Sequence, residues 1–248
     1  MINIICVKTT YRQNGVPSPI YSHVDVNRLY DMCQQHITVP FKFHCYTDVV
    51  DGIYDDINII PYVEFYIDHP VFNKLYMFSE QFDAKLDSNP RVFFDLDIAI
   101  RKNIDHIVNI NAGDLTVIKA QWRAQTTDTI FPVFAHQLNS SCMTWKSPNT
   151  RLIWNKFEKN MDYYMSKYMH GMDCFINYEI GNIKTFPLGN FYSHLYGIDY
   201  QLNEKDLKDP SNVSGIYRRS THADLANTYP VVLLNGPTTD ADYAIYFS

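Results

Sequence analysis

Apolar residues along this chain recur at two spacings, and the two alternate. INIICV (2–7) is a compact β-branched run of the kind that forms a buried strand, whereas Val26, Leu29, Tyr30, Cys33 and Ile37 in VNRLYDMCQQHI (26–37) fall at helical spacing. Pro40 stops that helix, and FKFHCYTD (41–48) then alternates Phe41, Phe43 and Cys45 as a second strand. INIIP (57–61) predicts a third strand, VFNKLYMFSEQFDAKL (71–86) a helix, and RVFFDLD (91–97) the next strand. Such repetition predicts an α/β fold with a mainly parallel central sheet flanked by helices. In that architecture ligands sit beyond the carboxyl ends of the strands.

Beyond residue 100 the order is less regular. KNIDHIVNI predicts a short helix, GDLTVIKA a strand, NSSCMTW a strand entered through polar residues, and RLIWNKFEKNMDYYMSKYM (151–169) one long amphipathic helix. GNIKTFPLGNFYSHLYGIDY and the polar stretch 201–229 read as loops before a final strand in YPVVLLNGP. No repeat, linker or break in composition divides the chain, so residues 1–248 are expected to form a single domain with a loop-rich C-terminal part.

Composition narrows the function. At 46% hydrophobic and 15% aromatic, 248 residues can bury a full core. The net charge of −6 offers no broad cationic surface for nucleic-acid phosphates, so nucleic acid is not an expected partner. No apolar run is long enough for a transmembrane segment, and MINIICVKTT lacks the basic start of a signal peptide, which predicts a cytoplasmic protein. The cysteines at 6, 33, 45, 142 and 174 are scattered without a CxxC pair, as expected of reduced thiols that pack in the core.

The chemistry concentrates in RVFFDLDIAI (91–100), a buried-type strand closed by two aspartates one residue apart. Alternation along a strand lets Asp95 and Asp97 project in one direction while Leu96 packs the other way. Two adjacent carboxylates repel one another unless a cation lies between them, and their hard oxygens suit Mg²⁺ or Mn²⁺ completed by substrate phosphates. Phosphatases of the haloacid-dehalogenase type also carry Asp-x-Asp after a strand. Their motif continues to Thr or Val where this chain has Ala99, and it usually lies in the first strand.

Taken in order, VNRLYDMCQQHITVPFKFHCYTD, VFNKLYMF, RVFFDLDIAI, LNSSCMTW, GMDCFI and VVLLNGP resemble the metal-dependent glycosyltransferases of the GT-A fold, in particular a family of small microbial and viral members. The resemblance covers roughly residues 2–240 and implies a nucleotide-binding half (1–100) followed by an acceptor and sugar half (101–248). It implies transfer of a sugar from a UDP- or GDP-linked donor to a glycan, glycoprotein or other hydroxyl acceptor. Mn²⁺ or Mg²⁺ would bridge the donor's phosphates as a Lewis acid, with Asp97 the more direct ligand and Asp95 nearer the ribose or a metal-bound water.

The same resemblance distributes further roles. Thr9, Thr10 and Tyr11 correspond to the base-binding loop, with Tyr11 suited to stack on a base; Asp48 would take base or ribose hydrogen bonds, or simply form a turn. Lys74 stands where the family uses a cation beside the donor, and Asn139, Ser140 and Ser141 would meet sugar hydroxyls. Asp173 is the expected catalytic carboxylate, as base in an inverting reaction or as an orienting group in a retaining one, with a helix N-cap as its structural alternative and Glu179 as the substitute.

Three positions depart from the family. Asn235 and Pro237 stand where relatives carry a metal-binding histidine and a phosphate-binding lysine, and Cys174 replaces a glutamine. Asn235 remains the expected third metal ligand through its amide oxygen, and Arg218 with Arg219 would compensate on a loop over the phosphates. Two other function classes share features of this pattern. A non-catalytic sugar-nucleotide-binding module would have the same fold, whereas a sugar-nucleotide pyrophosphorylase would need a Gly-rich loop that VKTTYRQNGVPSP lacks.

Overall fold

A computed structural model describes residues 1–13, 16–63, 70–110, 114–120, 138–146, 148, 150–168, 171–181, 183–194 and 228–234. In chain order these begin with β1 (Ile2–Lys8), β2 (Thr10–Gln13), β3 (Val16–Pro19), α1 (His23–His36), β4 (Phe41–Thr47) and β5 (Asn58–Pro61). A 3-10 helix (Pro70–Phe78) leads to α2 (Glu80–Asp83), β6 (Arg91–Phe94), β7 (Ile98–Ile100), α3 (Asp105–Val108) and β8 (Thr116–Lys119). Then come β9 (Leu138–Trp145), α4 (Arg151–Glu158), α5 (Met161–Lys167), α6 (Met172–Glu179), β10 (Lys184–Thr185), β11 (Phe191–Ser193) and β12 (Val231–Leu233).

Seven strands form the central sheet in the order β10-β8-β9-β6-β1-β4-β5. Around β1 the pairing is parallel, with Cys6 opposite Cys45 and Ile4 opposite Val92; only β9 runs against its neighbours β6 and β8. Parallel strands covered on both faces need continuous apolar sequence, and β1 is buried along its whole length. Ile2, Ile4 and Cys6 pack with Val26, Leu29 and Cys33 of α1 on one face. Ile5 and Val7 pack on the other with Phe72 and Leu75 of the 3-10 helix and Phe175 and Ile176 of α6. This α/β architecture is the expected one.

Several local expectations are corrected. The segment 71–86 is not one helix: a 3-10 turn runs to Phe78, and Ser79 then caps α2, its hydroxyl accepting from Phe82 N at 3.0 Å. Residues 151–169 split at Lys159–Asn160, where Asn160 leaves helical geometry at φ −157°, ψ 62°. The residues after β1 form a hairpin, β2 against β3, rather than a loop. Within the expected C-terminal loops lie β10 and β11, and β11 pairs with β12, which pairs with β7, to make a second sheet. Helix α1 starts earlier than its apolar pattern because Ser22 and Asp25 form a capping box, Ser22 N donating to Asp25 Oδ2 at 2.7 Å. All five cysteines are buried free thiols, and among the described residues no helix is long and apolar enough to cross a membrane.

Candidate active site

The two aspartates occupy the junction between the sheets. β6 ends at Phe94 and β7 begins at Ile98, so Asp95–Leu96–Asp97 is the link by which the chain leaves the central sheet and enters the second one. This corrects the picture of a continuous strand with alternating side chains. Backbone bonds hold both ends of the link: Asp95 N donates to Ser141 O at 2.9 Å, and Leu234 N donates to Asp97 O at 2.9 Å. Leu96 and Asp97 are buried, and Asp95 is half-buried.

Two elements from one face of the sheet bring the remaining charges. Lys74, on the 3-10 helix, forms an ion pair and hydrogen bond to Asp95 Oδ1, with its ammonium 5.4 Å from the centroid of Phe93. Burial alone would push the Lys74 pKa down; Asp95 first, then Asp97 and Asp173, hold it above the ordinary lysine value. That one lysine therefore feels three carboxylates from three parts of the chain.

Asp173 reaches the cluster from the first turn of α6, where the helix dipole favours an anion. It is not the N-cap, since Gly171 takes that place without a side-chain cap bond, and Asp173 Oδ1 instead accepts from Ser140 N at 3.1 Å. Gly171 is required by this docking. Its φ is +107°, and a Cβ there would stand 2.8 Å from Val71 Cγ2 at the start of the 3-10 helix. One close contact thus fixes the element carrying Asp173 against the element carrying Lys74.

Asn139, Ser140 and Ser141 lie within β9 and are buried, not in a turn before it. Asn139 Oδ1 accepts from Ser141 N at 3.0 Å, so this polar run supports Asp95 and Asp173 chiefly through its backbone. Thr9 and Thr10 lie at the end of β1, next to Asp48 at the end of β4. Both Asp48 oxygens accept from Thr10 N, at 3.1 and 3.0 Å, which anchors the hairpin.

Glu179 is not brought to the cluster. At the far end of α6 it accepts from Tyr168 OH at 2.6 Å and pairs with Lys167 at 2.8 Å and Lys156 at 2.9 Å. These bonds, Lys167 first, lower its pKa to about 2. Arg218, Arg219 and Asn235 lie outside the described residues, and of Tyr11 only the backbone, in β2, is described. Among the described residues no three His, Cys, Asp or Glu side chains are gathered to hold a metal. One residue that the sequence reading passed over is Lys8, the buried last residue of β1.

No protein-family model and no curated protein matches this chain. Solved structures do. The galactosyltransferase LgtC, in complex with donor and acceptor sugar analogues, superimposes with a TM-score of 0.54 at 13% identity, covering 95% of this chain and 87% of that one. An active-site mutant of LgtC gives a TM-score of 0.54 at 14% identity over 96% and 88% of the two chains. The chain has the GT-A fold. At this identity the likeness carries the architecture, and the chemistry is argued from this chain's own residues.

Proposed function

We propose that this chain is a glycosyltransferase that moves a sugar from a nucleoside-diphosphate sugar to a hydroxyl acceptor with the help of a divalent cation. The observation that carries the reading is the meeting of Lys74, Asp95, Asp97 and Asp173 at the carboxyl end of the sheet, where the second sheet begins. In open α/β sheets that edge is where ligands bind. Supporting it is a fold shared with an enzyme seen with both donor and acceptor sugar analogues.

The donor set fits a hard cation held by few protein ligands. Asp95 and Asp97 would supply carboxylate oxygens, and since no three His, Cys, Asp or Glu side chains among the described residues are gathered closely enough to hold a metal by themselves, substrate phosphates would complete the shell. As the family resemblance implies, Asp97 would make the more direct metal contact, and Asp95, paired with Lys74, would lie nearer the ribose or a metal-bound water. When bound, the cation would stabilise the negative charge that develops on the departing diphosphate. Lys74 would orient Asp95 and add a second positive charge beside the phosphates. Asp173, steadied by Ser140 N, would accept the acceptor's proton or hold the sugar. A UDP- or GDP-linked donor and a cytoplasmic site of action complete the reading.

The test is a panel of nucleotide sugars, scored for Mn²⁺-dependent hydrolysis or transfer and for thermal stabilisation. Hydrolysis of one donor that stops on chelation supports the proposal. Binding without turnover, across acceptors and cations, would make the chain a sugar-nucleotide-binding module instead.

A further inference from the structure

We infer that the exposed face formed by α4, α5 and the end of α6 carries a second binding site, one that holds a neutral oligosaccharide against tyrosine rings. The inference rests on the glycosyltransferase reading above, which makes that oligosaccharide the acceptor. A cavity of about 590 Å³ opens between α4 and the end of α6, at the opposite end of that helix from Asp173. Its lining combines apolar Leu115, Ile153 and Ile180 with hydrogen-bonding Asn155, Lys156 and Glu179. Its size is that of a small-ligand site. Leu152, which also lines it, is 72% exposed.

Direct contacts lead from this cavity to an aromatic surface. Glu179 takes Lys156 at 2.9 Å, Lys167 at 2.8 Å and the hydroxyl of Tyr168 at 2.6 Å. The Tyr168 ring stacks on Tyr178, with centroids 6.1 Å apart and planes within 3°, and the Lys167 ammonium lies 5.5 Å from the centroid of Tyr163. Tyr163 and Tyr178 are exposed at 51% and 50%. Aromatic rings left in water beside a cavity mark a binding surface, and a ring with few free torsions loses little entropy when it binds.

A pyranose offers a face of C–H groups and an edge of hydroxyls. Tyrosine rings suit the face, and the amide of Asn155 and the ammonium of Lys156 suit the edge. The charges favour a neutral ligand: Lys156 and Lys167 share Glu179, and Asp114 in the cavity pairs with Lys184 at 3.2 Å. Closed ion pairs exert little pull on a polyanion but still hydrogen-bond to hydroxyls. Helix α6 joins this surface to the charged cluster. Asp173 and Asn177 are half-buried one turn apart on it, and Ile180 and Gly181, just past its end, line the cavity. About 9 Å of helix separates Asp173 from Glu179, a span that a glycan of a few sugars covers.

An array of immobilised neutral mono- to octasaccharides, probed with the fluorescently labelled full chain without nucleotide or Mn²⁺, tests this. One class of oligosaccharide should bind, its longer members roughly tenfold or more tightly than its monosaccharide. Tyr163→Ala combined with Tyr178→Ala should weaken that binding roughly tenfold or more, whereas Tyr163→Phe with Tyr178→Phe, which keeps both rings, should retain it. Thermal stabilisation by GDP or UDP with Mn²⁺ should be the same in both variants as in the unaltered chain. If no oligosaccharide binds, or the Ala variant binds as well as the unaltered chain, the glycan site is overturned, and the donor panel above still decides the glycosyltransferase reading. A sedimentation shift from dimer to monomer in the Ala variant would make the rings a contact between copies and overturn the glycan site as well. Ring-dependent glycan binding by a chain that neither binds nor turns over any nucleotide sugar keeps the site and overturns the reading that made its ligand an acceptor.

Discussion

At the amino ends of β1, β4 and β6, Asn3 Nδ2 donates to Asp87 at 2.6 Å, His44 Nε2 donates to Asn3 Oδ1 at 3.0 Å, and Lys42 pairs with Asp87 at 2.9 Å. Beside them Arg91 pairs with Asp83, which also takes Arg151 at 2.9 Å. At the carboxyl ends of the same strands one lysine is set among Asp95, Asp97 and Asp173. The lower edge matches each acid to a base or an amide, as a structural network must. The upper edge gathers like charges, which costs stability and makes sense where a cationic ligand completes the set. Predictions that separate the two edges should therefore move activity at one and stability at the other.

The largest effect is expected from Asp97→Ala. If Asp97 makes the proposed metal contact, its loss should lower sugar transfer roughly 10³-fold, the scale of several kcal/mol of lost charge stabilisation, and remove the proposed Mn²⁺ dependence of nucleotide binding. The melting temperature should hold or rise slightly, because a like-charge neighbour has gone. Transfer assays beside thermal melts check this, and near-normal transfer would remove the metal from the proposed site.

Asp173→Asn should lower turnover about 10²-fold with nucleotide affinity unchanged. The asparagine oxygen can still accept from Ser140 N, so the melting temperature should stay put. Glu179→Gln, at the other end of the same helix, should do the reverse. It weakens ion pairs to Lys156 and Lys167 and should cost about 1–2 kcal/mol of stability with little change in turnover. An active Asp173→Asn together with an inactive Glu179→Gln would exchange the two roles.

How far this contrast was legible in the sequence follows from which interactions are local. RVFFDLD announces a buried strand ending in acids because both the apolar run and the charges are contiguous. The 3-10 helix was read as α because nine nearly all-apolar residues satisfy either period. The support of Asp173 by Ser140, 33 residues away, depends on how α6 docks, and that rests on Gly171 clearing Val71. No spacing rule encodes such a pair. Lys8 escaped notice because a lysine closing a strand is ordinarily solvated, and its burial comes from the later placement of α1. The second sheet was missed because β11 has three residues and finds its partner β12 far along the chain.

Gly171→Ala sharpens the upper edge. A positive φ of +107° and a Cβ 2.8 Å from Val71 Cγ2 should cost about 1–3 kcal/mol. Turnover should fall as well, since α6 carries Asp173. Adding Val71→Ala relieves the contact but not the backbone strain, so the double variant should recover only part of the stability, a non-additivity measurable by a thermodynamic cycle. Full additivity would mean that Gly171 matters for its backbone alone.

The smallest effect belongs to the lower edge and to pH. Burial lowers the His44 pKa to about 4, with Lys42 and Arg91 adding to that and Asp87 opposing it. The unfolded value is about 6.5. The folded state therefore binds fewer protons than the unfolded chain, and stability falls as pH drops from about 6.5 towards 4. Roughly 1–2 kcal/mol should be lost by pH 5. His36, lowered by burial in the same direction, adds to the slope. The carboxylates of this network do not confuse the window. Asp87 is held well below the ordinary range by bonds from Asn3 and Lys42 despite partial burial, so its contribution is lost only at lower pH. Denaturant unfolding at pH 7 and pH 5 measures the slope, and His44→Gln, which keeps an amide donor towards Asn3, should flatten most of it. An unchanged slope in that variant would shift the sensitivity to His36 and leave the lower edge a network without a titrating member.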